Sequence, residues 1–172
     1  MNKKERTLVL LKPDAVQRNL VGEIVGRFER AGLKLVAMKL VLPTAEQTRT
    51  HYKINPNLPE KILNHLVNFL TASPVVAMVL EGNKAIPVVR KLVGSTEPLQ
   101  SDVGTVRGDF TIDSYDLADK DDRAVRNLVH ASSSPEDAEK ETKVWFKESD
   151  LVNYKTAREK ILYDVNLDNI LE

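Results

Sequence analysis

Hydrophobic positions along the chain follow two different periods. Residues 7–12, Thr-Leu-Val-Leu-Leu-Lys, form an apolar run that stops at Pro13, the pattern of a buried strand. Leu20, Val21, Ile24, Val25, Phe28 and Ala31 then recur at helical spacing, with Gly32 as the stop. Residues 33–42 read as a second long strand, ended by Pro43. Thr44 and Gln47 predict a capping box that opens a short helix through Tyr52. After a proline-rich link, Ile62, Leu63, Leu66, Val67 and Leu70 mark the apolar side of another helix. Ser73-Pro74 breaks the chain, and residues 75–81 make a third strand. A fourth helix is expected over 84–93, where Pro87 is tolerated near the start. Residues 94–126 show little periodicity and many turn residues; loops of that length are usually functional. Residues 127–131 form a short fourth strand, and Ser134-Pro135-Glu136-Asp137 is a strong helix start. That helix is expected to reach about 147.

The order is β-α-β-(αα)-β-α-β-α. Without the helical pair it is βαββαβ, so we expect an α/β (α+β) fold. Its ferredoxin-like core has an antiparallel sheet, a helical-pair insertion and a C-terminal extension. The 172 residues, 42% of them hydrophobic, suit one domain with a real core. The tail from about 150, with Leu151, Val152, Tyr154, Ile161, Leu162, Tyr163 and Ile170, is expected to pack on the core or a neighbouring subunit.

Charge and composition narrow the function. Lys and Arg number 25, as do Asp and Glu. A non-specific grip on nucleic acid needs a surplus of cations, and there is none. The chain has no cysteine, which excludes disulfides and thiolate metal sites. The basic N-terminus, from Met1, precedes an apolar run of only four residues. That is too short for a signal sequence or a membrane span, so a soluble, cytoplasmic protein is expected.

His130 is one of three histidines. It ends the strand that feeds the helix 135–147, in which Ala138, Thr142, Trp145 and Phe146 share a face and Glu141 falls beside Trp145. An isolated Glu141 would more commonly reach solvent, and an isolated His130 would be structural. Paired, the carboxylate would fix the imidazole's tautomer and sharpen its other nitrogen as a base or nucleophile. Lys12 ends the first strand, Arg90 lies near a helix end with Thr96 just after Gly94, and Arg107 precedes Gly108. Each is unremarkable singly; together they suit an anionic ligand. No GxxxxGK[ST] or GxGxxG run is present.

The segments LLKPDAV, THYK, SPVVAMVLEG, VVRKLVGST, GTVRGDF, RNLVHASSS and EDAEKETKVWF resemble, in order, the successive motifs of the nucleoside diphosphate kinases, over roughly residues 5–155. The resemblance implies ping-pong transfer of the γ-phosphate of a nucleoside triphosphate, typically ATP, to a nucleoside diphosphate. His130 matches the transiently phosphorylated histidine, Glu141 the carboxylate orienting it, Ser132 a partner in that network and Tyr52 a neighbour of the nucleophile. Lys12, Arg90, Thr96 and Arg107 match the phosphate ligands, and Asn127 the ribose contact. Mg2+ is implied as the cofactor, held mainly by nucleotide phosphates and water rather than by protein ligands. A homo-oligomer, tetramer or hexamer, is implied as well, with no membrane or specific nucleic-acid partner.

The sequence departs from the family pattern at three places. The base-stacking phenylalanine is matched by an aliphatic residue, Ile62. The family's Ser-Asp-Ser is Ser132-Ser133-Ser134, without its carboxylate. The segment between Arg107 and Asn127 is about ten residues longer than usual and contains Tyr115; it reads either as a solvated loop or oligomer contact, or as a segment that brings Tyr115 over the base edge left open by Ile62. The alternative function is a non-catalytic ferredoxin-like protein that binds a nucleotide or a partner. An RNA-binding module of that fold would display aromatics on its central strands, and residues 7–12 and 75–81 carry none.

Overall fold

A computed structural model describes residues 4–164 and 166–168; Ile170 of the predicted tail cluster lies outside them. Strands β1 (Glu5–Leu11), β2 (Lys34–Val41), β3 (Val75–Gly82) and β4 (Val129–Ala131) form one sheet in the order β2-β3-β1-β4. Every neighbouring pair is antiparallel. This is the expected ferredoxin-like arrangement, an α+β fold.

Both sheet faces are covered, which explains why β1 and β3 read as unbroken apolar runs rather than alternating ones. Val9, Leu11, Val76, Met78 and Leu80 face one core, beneath α1 (Pro13–Gln17), α2 (Val21–Arg30) and α5 (Ala85–Val93). Leu8, Leu10, Val75, Ala77 and Val79 face the other, with Leu70, Trp145 and Phe146. The period-two side-chain alternation of a strand sorts one run between two cores. Leu70 belongs to α4 (Glu60–Leu70), the partner of α3 (Ala45–Tyr52) in the helical pair. Trp145 ends α8 (Pro135–Trp145), and Phe146 follows it as extended chain, still buried.

Several expectations shift in detail. Residues 13–17 form a helix too short to show a period. The region 94–126 is not a bare loop. It holds a 3-10 turn (Pro98–Gln100), α6 (Val106–Phe110) and α7 (Tyr115–Lys120). The Thr44–Gln47 box is half formed: Thr44 accepts from the Gln47 amide, but the Gln47 side chain donates to the Val144 carbonyl instead. The strand expected at 127–131 begins only at Val129, because Leu128 has φ +64°. The tail returns along β2. The Val152 amide donates to the Val36 carbonyl, the Tyr154 hydroxyl to that of Leu35, and Lys34 joins the carboxylates of Glu81 and Glu159 at 2.7 and 3.3 Å. Glu159 starts α9 (Glu159–Tyr163). No helix among the described residues is long and apolar enough to cross a membrane.

Candidate active site

β4 places His130 opposite Leu10 of β1, on the sheet face that α8 covers. The start of α8 follows from its sequence: Ser134 accepts from the Asp137 amide and Pro135 occupies the first turn, so the helix rises immediately after the strand. One and a half turns on, Glu141 points back at the strand. Its Oε2 accepts from His130 Nε2 at 3.0 Å and from the Ser132 hydroxyl at 2.6 Å. Glu141 is only 6% exposed, so the solvent-facing alternative is excluded. The bond to a carboxylate puts a proton on His130 Nε2, and in the neutral ring Nδ1 keeps a free lone pair.

Lys12, at the junction of β1 and α1, is buried, and its Nζ donates to Asn127 Oδ1 at 2.7 Å. Burial, reinforced by the nearby Arg107 cation, lowers its pKa to about 8. Asn127 in turn donates to the Thr96 carbonyl at 2.7 Å. Arg107, in α6, is also buried. It donates from Nε to the Asn127 carbonyl, from Nη1 to those of Gly94 and Ser95, and from Nη2 to that of Val129. Four of its five N–H groups are thus used on backbone, which brings the segment after α5 against β4. Burial and the neighbouring Arg90 lower its pKa to about 10. Two glycines allow this approach. A side chain at Gly108 would meet the Asp102 carbonyl oxygen at 2.1 Å, and Gly94 has φ +89°. Leu128 is held in its left-handed conformation by two hydrogen bonds: its amide donates to Asp14 Oδ2, and its carbonyl accepts from the Lys12 amide. Such strain survives only where its surroundings over-determine it.

These residues line one cavity of about 450 Å3, within the size range of small-molecule sites. Lys12, Tyr52, Arg90, Thr96, Arg107, Asn127, His130 and Glu141 all reach it; Ser132 contacts Glu141 behind it. The remaining lining is more apolar. Ile54, Leu58, Ile62 and Leu66 come from α4 and the link before it, and Tyr115, Ala118 and Val125 from the lengthened segment. Asp122 of that segment pairs with Lys61 of α4 at 2.6 Å, joining the two walls.

Some of the site could not be read in advance. Asp137 lines the cavity and is hydrogen-bonded to Ser133, so a carboxylate stands beside the triple-serine stretch after all, supplied one helical turn later. His51 also lines the cavity, its ring 4.4 Å from that of His130 between centroids. The available signal was its place beside Tyr52 in THYK. His51, His130 and Glu141 bring ligand-type atoms within 4.8 Å of one another. Glu141 Oε2 and His51 Nδ1 are already hydrogen-bonded, however, so a metal there would displace them. Asp137, whose Oδ2 accepts from the Ser133 hydroxyl and whose other oxygen has no hydrogen-bond partner among the described residues, is the carboxylate better suited to a hard cation that keeps its waters.

Residues 5–151 match the family model described as nucleoside diphosphate kinase. A nucleoside diphosphate kinase of Archaeoglobus fulgidus is 46% identical, over 93% of this chain and 98% of its own. One from Pyrobaculum aerophilum is 44% identical over 86% and 98%. Among solved structures, the transition-state mimic of the Borrelia burgdorferi nucleoside-diphosphate kinase with bound vanadate and ADP superposes with a TM-score of 0.91. It is 39% identical and covers 95% of this chain and 99% of that one. The structure of an NDP kinase from Pyrobaculum aerophilum gives 0.82 at 40% identity, over 87% of this chain and 100% of that one.

Proposed function

The chain belongs to the nucleoside diphosphate kinase family and is an enzyme of that class, and on that premise we propose that it transfers the γ-phosphate between nucleotides by a ping-pong route through phosphorylated His130. The observation that carries this reading is the disposition of the imidazole. Nε2 is committed to Glu141, so Nδ1 is the nitrogen left with a lone pair, and the ring lines a cavity bearing Lys12, Arg90 and Arg107.

The reaction then runs in two symmetrical halves. Nδ1 attacks the γ-phosphorus, a P–N bond forms, and the bond to the bridging oxygen breaks, leaving a nucleoside diphosphate. A second nucleoside diphosphate reverses the step with its terminal oxygen. Phosphoryl transfer asks for positioning and charge stabilisation more than for covalent assistance. Glu141, itself fixed by Ser132, holds the ring and stabilises the positive charge that develops on it. Lys12, Arg90, Arg107, Thr96 and the Tyr52 hydroxyl face the phosphate oxygens, and Asn127 the ribose. Asp137 would be the carboxylate on this chain suited to the hydration shell of Mg2+ carried by the nucleotide phosphates and water, an ion that would supply neutralisation of the phosphate charge. Nucleoside di- and triphosphates are the substrates, in a cytoplasmic homo-oligomer.

The test is incubation with ATP labelled at the γ-position. Acid-labile, base-stable phosphate should appear on the protein and pass to added nucleoside diphosphate. In His130→Gln both events should disappear while the fold remains. Substantial transfer by that variant would remove His130 from the mechanism and favour a non-covalent route.

A further inference from the structure

Two buried polar atoms have no hydrogen-bond partner among the described residues: His51 Nε2 and the Tyr52 hydroxyl oxygen. Buried polar groups are otherwise nearly always paired, so an orphan in a cavity wall asks what completes it. Tyr52 is accounted for by the proposed mechanism, but His51 is not. It sits in the last turn of α3, 1% exposed. Its ring stands at 84° to that of His130, with 4.4 Å between centroids.

The protonation of His51 follows from its other side. The Trp145 indole nitrogen can only donate, and it donates to His51 Nδ1 at 3.3 Å. Nδ1 therefore carries no proton, and the single proton of the neutral ring is on Nε2. A cationic ring would set two N–H groups against each other at that contact. Burial, with His130 and Lys12 close by, also holds the His51 pKa well below the ordinary histidine value. The outcome is an N–H donor of fixed tautomer and zero charge, beside the nucleophile and without an acceptor.

We propose that His51 donates its Nε2–H to an oxygen of the phosphoryl group while that group is carried on His130. The inference rests on His130 being the acceptor. A neutral donor has a use that another cation lacks. It offsets charge on the phosphoryl oxygens with a preorganised dipole. It does not add a further full charge against which the phosphate must be released in the second half-reaction. Trp145 acts only as a positioning residue, by fixing the tautomer.

The experiment compares wild type, His51→Phe and His51→Gln in single-turnover phosphorylation by ATP, with ADP affinity measured by calorimetry in parallel. Phenylalanine keeps a ring and removes the donor, whereas glutamine restores an N–H and an acceptor for Trp145. His51→Phe should bind ADP as wild type does yet be phosphorylated about 100-fold more slowly, the effect of one lost oxyanion donor. His51→Gln should recover a large part of the rate. An undiminished rate in His51→Phe overturns the proposal, as does equal loss in both variants. If wild type itself forms no phosphoenzyme, the reading of His130 fails instead. Should the variants not fold, 15N spectra of the wild-type imidazoles decide. His51 should be protonated at Nε2 and bare at Nδ1 near neutral pH, and Nε2 should shift on phosphorylation. A proton on Nδ1, or an Nε2 signal indifferent to phosphorylation, overturns the proposal.

Discussion

At the scale of single residues the site is governed by what burial does to charge. Lys12 as a residue is 5% exposed and lies beside Arg107, and its ammonium group donates to a neutral amide, that of Asn127. Burial and the adjacent cation lower its pKa to about 8, far under the usual lysine value, so the empty site is partly discharged in mildly alkaline solution. The sign of the consequence is fixed. A phosphate placed beside Lys12 favours the charged form, so its pKa rises on binding. Above about pH 8, binding must therefore take up a proton, and affinity should fall by up to about tenfold per pH unit. Calorimetric titration with ADP at pH 8.5 in buffers of different ionisation enthalpy should show net proton uptake, and Lys12→Gln should abolish it. Uptake that persists in the variant would assign the proton to another group. Glu141 illustrates the complementary rule: a buried carboxylate persists where it has partners, and here it has two, His130 and Ser132.

At the scale of elements, much of the fold was open to sequence reasoning because long segments carry their period repeatedly. β1 and β3 announce themselves by apolar runs, and α8 by Ser134 and Pro135. The helices α1, α6 and α7 have five or six residues each, less than two turns, so no periodicity can identify them. The job of Arg107 was equally hidden, since nothing in GTVRGDF says that four backbone carbonyls will converge on its guanidinium. The lengthened segment is the element with most to test. Asp113 clamps it through Arg123 at 2.7 and 2.9 Å, Ser114 caps α7, Glu97 accepts from the Tyr115 amide at 3.0 Å, and Asp122 reaches across to Lys61. The segment braced this way lines the same cavity as Ile62. If Tyr115 covers the base that Ile62 leaves without an aromatic neighbour, stacking contributes roughly 1–3 kcal/mol. Tyr115→Ala should then raise the Michaelis constant for nucleotides about tenfold or more, with the turnover number little changed. Unaltered kinetics with a smaller assembly would make α7 an oligomer contact instead.

At the scale of the whole molecule, the exposed apolar residues are the places where the proposed homo-oligomer would bury surface. The tail accounts for less of it than its composition suggests. Leu151 packs on the core beside Val36, and Tyr154 is tied to Leu35, although Val152, Ile161 and Leu162 stay exposed. Two other groups stand out. Met38, Leu40 and Leu42 lie along and just beyond β2, an edge strand whose far side is only partly covered by the tail, and exposed edges invite pairing. Leu99, Val103 and Ile112 lie on the segment flanking α6, the last two more than 90% exposed. Exposed apolar residues on two different segments would suit two kinds of interface, and combining two closed symmetric contacts would give a dihedral tetramer or hexamer rather than a dimer. Light scattering at micromolar concentration should therefore find the higher assembly. Leu40→Glu and Val103→Glu should each cut it to a different, smaller oligomer, because each charge sits in only one of the two contacts. A monomeric wild type would refute the assembly outright. Identical fragments from both variants would merge the two patches into a single interface and limit the particle to a simple ring or dimer.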